Sequence, residues 1–520
     1  MDDISDAELI LGIGSNTTEQ HPLVSTRIFE ALEKGAELYV IDPRMIRLTD
    51  FAHAYMPIEP GTNLPMINAM IHVIIEEGLV HEEFIRTRTE NYEEMKASVA
   101  DCTPEWAETI SKVPAAMIRQ FARKYATTDK AMILFTMGVT QQTTSTKSIR
   151  ALANLAMITN HVGRPSTGIN PLRGQNNVQG AGDMGALPDF LPGYMRPEWP
   201  ETLENYTRVW GDFSCKRGNN IMQMFNLMDE GIMKAAFIVG ENPILSDPDQ
   251  IHTIHCLEKL PFLVVQDIFL TETAQFADVV LPAASFLERG GTYTNTDRRV
   301  QLIREVIKPI GDCRPDWWIL TEIMKRIGMD VDYQTPSEIM DEINDAAKLY
   351  GGITHERIQE VGLQWPCPDK EHPGTPILHV GEFKRGKGLF TVNDWEAIGD
   401  QRSEEYPFIM TTGRVGHQYH TGTMTRKVWT LALEYPEGFV EIHSKDAQAL
   451  GIRDHQRLRI TSARGSIVAP ALITDRINEK TVFVPFHFAE SPANRLTGQN
   501  LDPLINIPAL KVSAVRIEVE

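Results

Sequence analysis

Four times along this chain an apolar run breaks off into a polar loop containing glycine: GIGSNTTE (12–19), MGVTQQ (137–142), VGENP (239–243) and TGRVGHQYHTG (412–422). The first three close runs of the length and composition of buried parallel strands, ELILGIG (8–14), DKAMILFTMG (129–138) and KAAFIVGENP (234–243). In parallel α/β sheets the carboxyl ends of the strands form the ligand crevice. Glycine there lets backbone N–H groups approach a phosphate, and the N-terminus of a following helix favours its negative charge. One nucleotide needs one such loop, so the repetition points to a larger ligand or to more than one. Asp42 ends a further strand, AELYVIDPR (36–44), where an acidic side chain can accept from a ribose hydroxyl.

Between the strands run helical patterns. HPLVSTRIFEALEKG (21–35) spaces Leu23, Ile28, Phe29 and Leu32 along one face and stops at Gly35. Further helices are expected within 59–78, 148–165 and 316–328, and further strands in PFLVVQDIF (261–269) and ADVVLP (277–282). Alternation of strand and helix argues for an α/β chain with two doubly wound, mostly parallel sheets. From Tyr406 the period changes to that of strands, with a turn at Arg464–Gly465 and a short helix at 444–452, which predicts a C-terminal β-barrel. The expected domains are 1–172 and 173–311, each α/β and dinucleotide-binding, a connector over 312–400, and the barrel over 401–520.

Charge and composition exclude several classes. A net charge of −20 disfavours nucleic acid and anionic membranes, which require a basic face. No apolar run approaches the roughly 18 residues of a membrane helix. The five cysteines form no CxxC pair, so the chain offers neither zinc nor iron–sulfur ligands, and their odd number favours reduced thiols in the cytoplasm. HTIHC (252–256) and HQYH (417–420) have metal-like spacings but read as surface and packing histidines.

One stretch is unusual: NPLRGQNNVQGAGDMG (170–185) holds three Asn, two Gln and one Arg. Amides carry donors and acceptors at any pH, which suits a large heteroatom-rich ligand. Arg173 adds a planar fork matching a carboxylate. The alternative is a long loop capping its own backbone.

The longer segment GINPLRGQNNVQGAGDMGALPDFLPGY (168–194) closely resembles the molybdenum- or tungsten-dependent formate dehydrogenases of the molybdopterin oxidoreductase superfamily. GSNTTEQHP, IDPR, PGTN, GVTQ, GENP, VVQDIFLTETAQFADVVLP, TGRVGHQYHTGTMTRK and FAESPANRLT follow in family order. The resemblance implies a bis-molybdopterin guanine dinucleotide cofactor with Mo or W and a barrel of the double-psi type. It implies that Asn16, Asp42 and Arg44 serve one dinucleotide and Gly240, Glu241, Asn242, Gln266 and Asp267 the other, with Gly61 and Gly138 also binding the cofactor. Arg414, His420 and Asn494 match pterin and nucleotide clamps. Arg173 matches the arginine that holds formate, with Gln175 beside it. Asn63 stands where an Asp is expected, and Gln418 where relatives often have His.

Family members begin with a cysteine-rich segment that binds a 4Fe–4S cluster, then carry the Cys or selenocysteine ligand of the metal. This sequence opens instead on the strand leading to GIGSN. A separate N-terminal polypeptide would explain that; a reading frame started downstream of a UGA selenocysteine codon is the preferred explanation. The expectation is therefore a formate-oxidising or CO2-reducing subunit, inactive alone, that passes electrons to iron–sulfur or flavin subunits without spanning a membrane. Another molybdopterin oxidoreductase of a small anion, or a non-catalytic structural homologue in an electron-transfer complex, are the alternatives.

Overall fold

A computed structural model describes residues 1–212, 215–397 and 399–520. The chain folds into two compact units. One comprises Met1–Leu172, Leu245–Ile251 and Ile377–Glu520; the other comprises Arg173–Ile244 and His252–Pro376.

The first unit is built on a five-stranded sheet. Its elements are β1 (Leu9–Ile13), α1 (Pro22–Glu33), β2 (Glu37–Ile41), β3 (Ala54–Met56), α2 (Asn63–Glu76), β4 (Ala131–Phe135), α3 (Ser145–Ile158) and β5 (Gly168–Pro171). The strand order β3-β2-β1-β4-β5 is parallel throughout. Along β1, Leu9, Leu11 and Ile13 enter a core with Ile67, Met70 and Ile74 of α2 and Leu152 and Leu155 of α3. Ile10 points to the opposite face, where Val24, Ile28 and Ala31 of α1 cover it. Burial on both faces is why β1 and β4 are continuously apolar. Because β1 has β2 on one side and β4 on the other, the order of the sheet reverses between β1 and β4, which opens a crevice at their carboxyl ends.

The second unit starts with α4 (Val178–Asp183), six residues inside the stretch expected as loop. Its parallel sheet is three-stranded, β6 (Ala236–Val239), β7 (Leu263–Asp267) and β8 (Val279–Pro282), over a core including Phe225, Met228, Leu257 and Val265. Another cluster gathers Val300, Met340, Tyr350 and Ile353, with Met184 and Trp365 packed against it. The expected helix near 316–328 is α5 (Asp316–Arg326).

The C-terminal part of the first unit is a closed barrel in the order β9-β13-β10-β12-β11-β14. Its strands are β9 (Phe408–Gly413), β10 (Val440–His443), β11 (Arg457–Thr461), β12 (Ser466–Thr474), β13 (Thr481–Pro485) and β14 (Ser513–Val519), with α6 (Ser444–Leu450) after β10. Closure leaves no sheet edge, and Met410, Val440, Leu458, Ile460, Val482 and Val515 fill the interior. Among the described residues no helix is long and apolar enough to cross a membrane. The described cysteines are all free, two buried and three partly exposed.

Candidate functional site

In the first unit the crevice is shaped by two glycines. Gly14 has φ +56° and its N–H donates to Ile41 O at 2.9 Å. Gly138 N–H donates to Gly14 O at 3.1 Å, and Thr136 Oγ1 donates to the same oxygen at 2.7 Å. The Gly138 carbonyl accepts from Asn63 Nδ2 (3.3 Å) and Gln142 Nε2 (2.5 Å). Asn63 thus works as a donor within the fold, which the aspartate expected there could not do.

Charged side chains surround the ends of β2 and β9. Asp42, 9% exposed, accepts from Arg44 N–H at 3.0 Å, and burial pushes its carboxyl up to about 6. Arg44 donates from Nε and Nη2 to both oxygens of Glu441, at 2.8 and 2.7 Å, and lies 3.6 Å over the Phe483 ring. Lys511 Nζ donates to Thr412 O at 2.8 Å. Burial, with the Arg414 charge, pushes its ammonium down to about 7. Arg414 is lowered by its own burial and lies 5.7 Å from the Phe486 ring centroid. The fold thus gathers Asp42, Arg44, Arg414 and Lys511 into one electrostatically coupled group. His420 sits in the left-handed region at φ +48°, its carbonyl held by fully buried His487 Nδ1. Gly61, at φ +90°, abuts Val512. Asn494 is different: its Nδ2 donates to Leu245 O (2.8 Å) and Ser246 O (2.9 Å), so it pins the Leu245–Ile251 segment. A cleft of about 570 Å³ lined by Thr18, Glu19, Arg47, Asp50, Phe51 and Arg476 lies two residues along the chain from Asn16.

In the second unit the expected residues cluster at the carboxyl ends of β6 and β7. Gly240, at φ +64°, donates to Gln266 O at 2.8 Å. Gln266 Nε2 donates to Asp316 Oδ1 at 2.7 Å. Asp267 accepts from Ile268 N–H (2.7 Å) and Phe269 N–H (3.3 Å), and burial raises its carboxyl. The Glu241 charge reaches Asp267 and raises it further. Asn242 is committed to the fold: Nδ2 donates to Glu272 (2.8 Å), and Oδ1 accepts from Thr273 N–H (3.2 Å) and Oγ1 (2.7 Å).

The amide-rich stretch is tied both to its neighbours and to itself. Asn177 Oδ1 accepts from Thr294 N–H at 2.9 Å, and Asn170 Nδ2 reaches the Ile133, Thr167 and Gly168 carbonyls. Half-buried Arg173 donates from Nε to Gln179 Oε1 at 2.6 Å, and its N–H donates to Thr296 Oγ1 at 3.0 Å. Gln175, also half-buried, makes no side-chain hydrogen bond among the described residues.

Several buried polar atoms at these places have no hydrogen-bond partner among the described residues: Asn16 Nδ2, Gln142 Oε1 and Gln418 Nε2 in the first unit, and Gln266 Oε1 in the second. Such atoms cost free energy unless something bonds them. The three in the first unit, with its glycine cradle and the Arg414 and Lys511 charges, fit a polar anionic ligand. No three His, Cys, Asp or Glu among the described residues form a metal-binding group. His255 pairs with Asp229 at 3.4 Å, and Cys256 Sγ contacts His252 Nε2 at 3.4 Å. Lys511, Gln142, Glu441 and Gln179 were not singled out from the sequence, and nothing in their spacing would have marked them.

The molybdopterin oxidoreductase profile matches residues 1–326, and the molybdopterin dinucleotide binding domain profile matches 408–514. F420-dependent formate dehydrogenase 1 subunit alpha of Methanococcus maripaludis is 45% identical over 99% of this chain and 77% of its own length. F420-dependent formate dehydrogenase subunit alpha of Methanocaldococcus jannaschii is 46% identical over 100% of this chain and 77% of its own. Acetylene hydratase from Pelobacter acetylenicus shares the fold, with a TM-score of 0.81 at 20% identity over 99% of this chain and 78% of that one. A chain with these two parallel sheets, this closed barrel and these relatives is an oxidoreductase and belongs to the molybdopterin oxidoreductase family.

Proposed function

We propose that this chain interconverts formate and CO2, a proton and two electrons, at a molybdenum or tungsten centre carried by two molybdopterin guanine dinucleotides. The observation that carries this reading is the 45% identity, over 99% of the chain, to a protein named as a formate dehydrogenase alpha subunit. Arg173 supports it: a half-buried guanidinium, fixed through Nε, presents a planar fork suited to a carboxylate. When bound, the metal cofactor would accept the electron pair of the formate C–H bond.

The residues of this chain orient and hold. Arg173 aligns the carboxylate so that its C–H bond is directed consistently, with Gln175 beside it. The glycine crevice between β1 and β4, with Asn16, Asp42, Arg44 and Gly61, would hold one dinucleotide. Gly240, Glu241, Gln266 and Asp267 would hold the other, and Arg414 and His420 would clamp from the barrel side, while Asn242 and Asn494, whose amides are bound within the fold, would fix the loops around them. Electrons would leave to iron–sulfur or flavin subunits.

Steady-state formate oxidation by the cofactor-loaded enzyme with an artificial acceptor tests this. Arg173→Lys is expected to raise KM for formate about 10- to 100-fold, the worth of a charged hydrogen bond of a bidentate pair. An unchanged KM, or no formate-dependent turnover by fully loaded wild-type enzyme, would overturn the reading.

A further inference from the structure

Beyond Arg173 lies a chain of hydrogen bonds whose direction can run only one way. Arg173 Nε is a donor without acceptor capacity, and it meets Gln179 Oε1 at 2.6 Å. That fixes the Gln179 amide with Nε2 on its far side, where it donates to Asp183 Oδ1 at 2.6 Å and to Tyr194 OH at 3.0 Å. Asp183 Oδ2 accepts from Trp365 Nε1 at 2.7 Å and from the Tyr350 hydroxyl. Gln179 is 5% exposed, and Asp183 and Tyr350 are fully buried. Gln179 and Asp183 stand four apart on α4, on one face of the helix.

A buried carboxylate is expensive, and a neutral amide of the same shape would pack as well. It could not do the same work, because Trp365 and Gln179 both present N–H groups to it. Only a group that accepts at both ends leaves Gln179 Oε1 turned toward Arg173.

We infer that Asp183 is a positioning residue for the substrate-binding guanidinium: through the Gln179 amide it sets the orientation in which Arg173 receives a small carboxylate. This rests on the reading of Arg173 as the formate anchor. In Asp183→Asn, Trp365 can only donate, so the new carbonyl must stay on its side and the new NH2 faces Gln179. The Gln179 amide then turns over and its NH2 opposes Arg173 Nε, donor against donor. Adding Gln179→Glu puts back a group that accepts from both neighbours.

The test uses the loaded holoenzyme with metal and pterin content measured for every variant. Asp183→Asn is expected to raise KM for formate about 10- to 100-fold, with a smaller change in kcat. Inhibition by nitrite, isoelectronic with formate but lacking its C–H bond, is expected to weaken in parallel. The double variant Asp183→Asn/Gln179→Glu is expected to recover most of both losses. Wild-type KM and nitrite inhibition in Asp183→Asn would overturn the inference, as would a double variant no better than the single one. If Asp183→Asn does not accumulate, Gln179→Met carries the test: a raised KM supports the relay and an unchanged one refutes it. Arg173→Ala separates the two levels. An unchanged formate KM there defeats the anchor reading itself, whereas a raised KM there with a normal one in Asp183→Asn defeats the relay alone.

Discussion

Gly138 packs backbone against backbone on Gly14: a β-carbon on Gly138 would come within 2.5 Å of Gly14 Cα, and one on Gly14 within 2.8 Å of Gly138. Neither neighbour is a side-chain end that could swing aside. Gly138→Ala is therefore expected to destabilise the first unit by at least about 2 kcal/mol and to prise β1 and β4 apart at their carboxyl ends. Thermal unfolding reads the first effect, and pterin content, falling more than stability alone explains, reads the second. A variant with wild-type Tm and full pterin would show that the contact is not tight.

Arg44 and Glu441 form a mostly buried bidentate pair, with side chains 18% and 10% exposed. Removing one partner strands the other. Glu441→Ala is expected to cost about 3 kcal/mol, whereas Arg44→Met combined with Glu441→Leu costs clearly less because no charge is left unpaired. Denaturant unfolding of the two variants checks the order, and a double variant as unstable as Glu441→Ala would contradict it.

Lys511 gives the cofactor-free chain a pH signature. Its ammonium is held down to about 7 by burial and by Arg414, against a usual 10.5. Above about pH 7 the unfolded chain keeps a proton that the folded chain has released, so stability rises with pH from there. Below about pH 7 both states hold the proton and the penalty is constant. Tm is expected to climb between pH 7 and about 9, and Lys511→Met to flatten that climb; an unchanged slope in the variant would remove Lys511 as its source. Above pH 9 Cys102, held up to about 11 by burial, works in the opposite sense.

The His252–His255–Cys256 triplet is expected to hold no metal, since His255 pairs with Asp229 and His252 with Cys256. Dialysis of the cofactor-free chain against EDTA should leave its Tm unchanged, and added zinc should not raise it. Stabilisation by stoichiometric zinc that His252→Ala abolishes would show otherwise.

Much of the architecture is legible in the residues. β1 and β4 are apolar without interruption because helices cover both sheet faces, and the turn to alternating strands after Tyr406 follows from the barrel. What single positions do is less legible. Gly138 reads as a glycine that lets the backbone approach a phosphate, but its absent side chain is required by Gly14, a distant part of the chain. Asn242 and Asn494 sit in recognisable motifs, yet their amides are bound by neighbouring segments whose approach no local pattern announces. The 170–185 stretch reads as an open amide loop. Folding turns part of it into α4, because Gln179 and Asp183 four residues apart share a helix face and a hydrogen bond. Lys511, a lone cation beside an ordinary strand, carries no mark of the charges that surround it.

The barrel closes through β14, which pairs with both β9 and β11. Without Ser513–Val519 the barrel would therefore be an open sheet with two bare edges, at β9 and at β11, each free to recruit a strand from a second molecule.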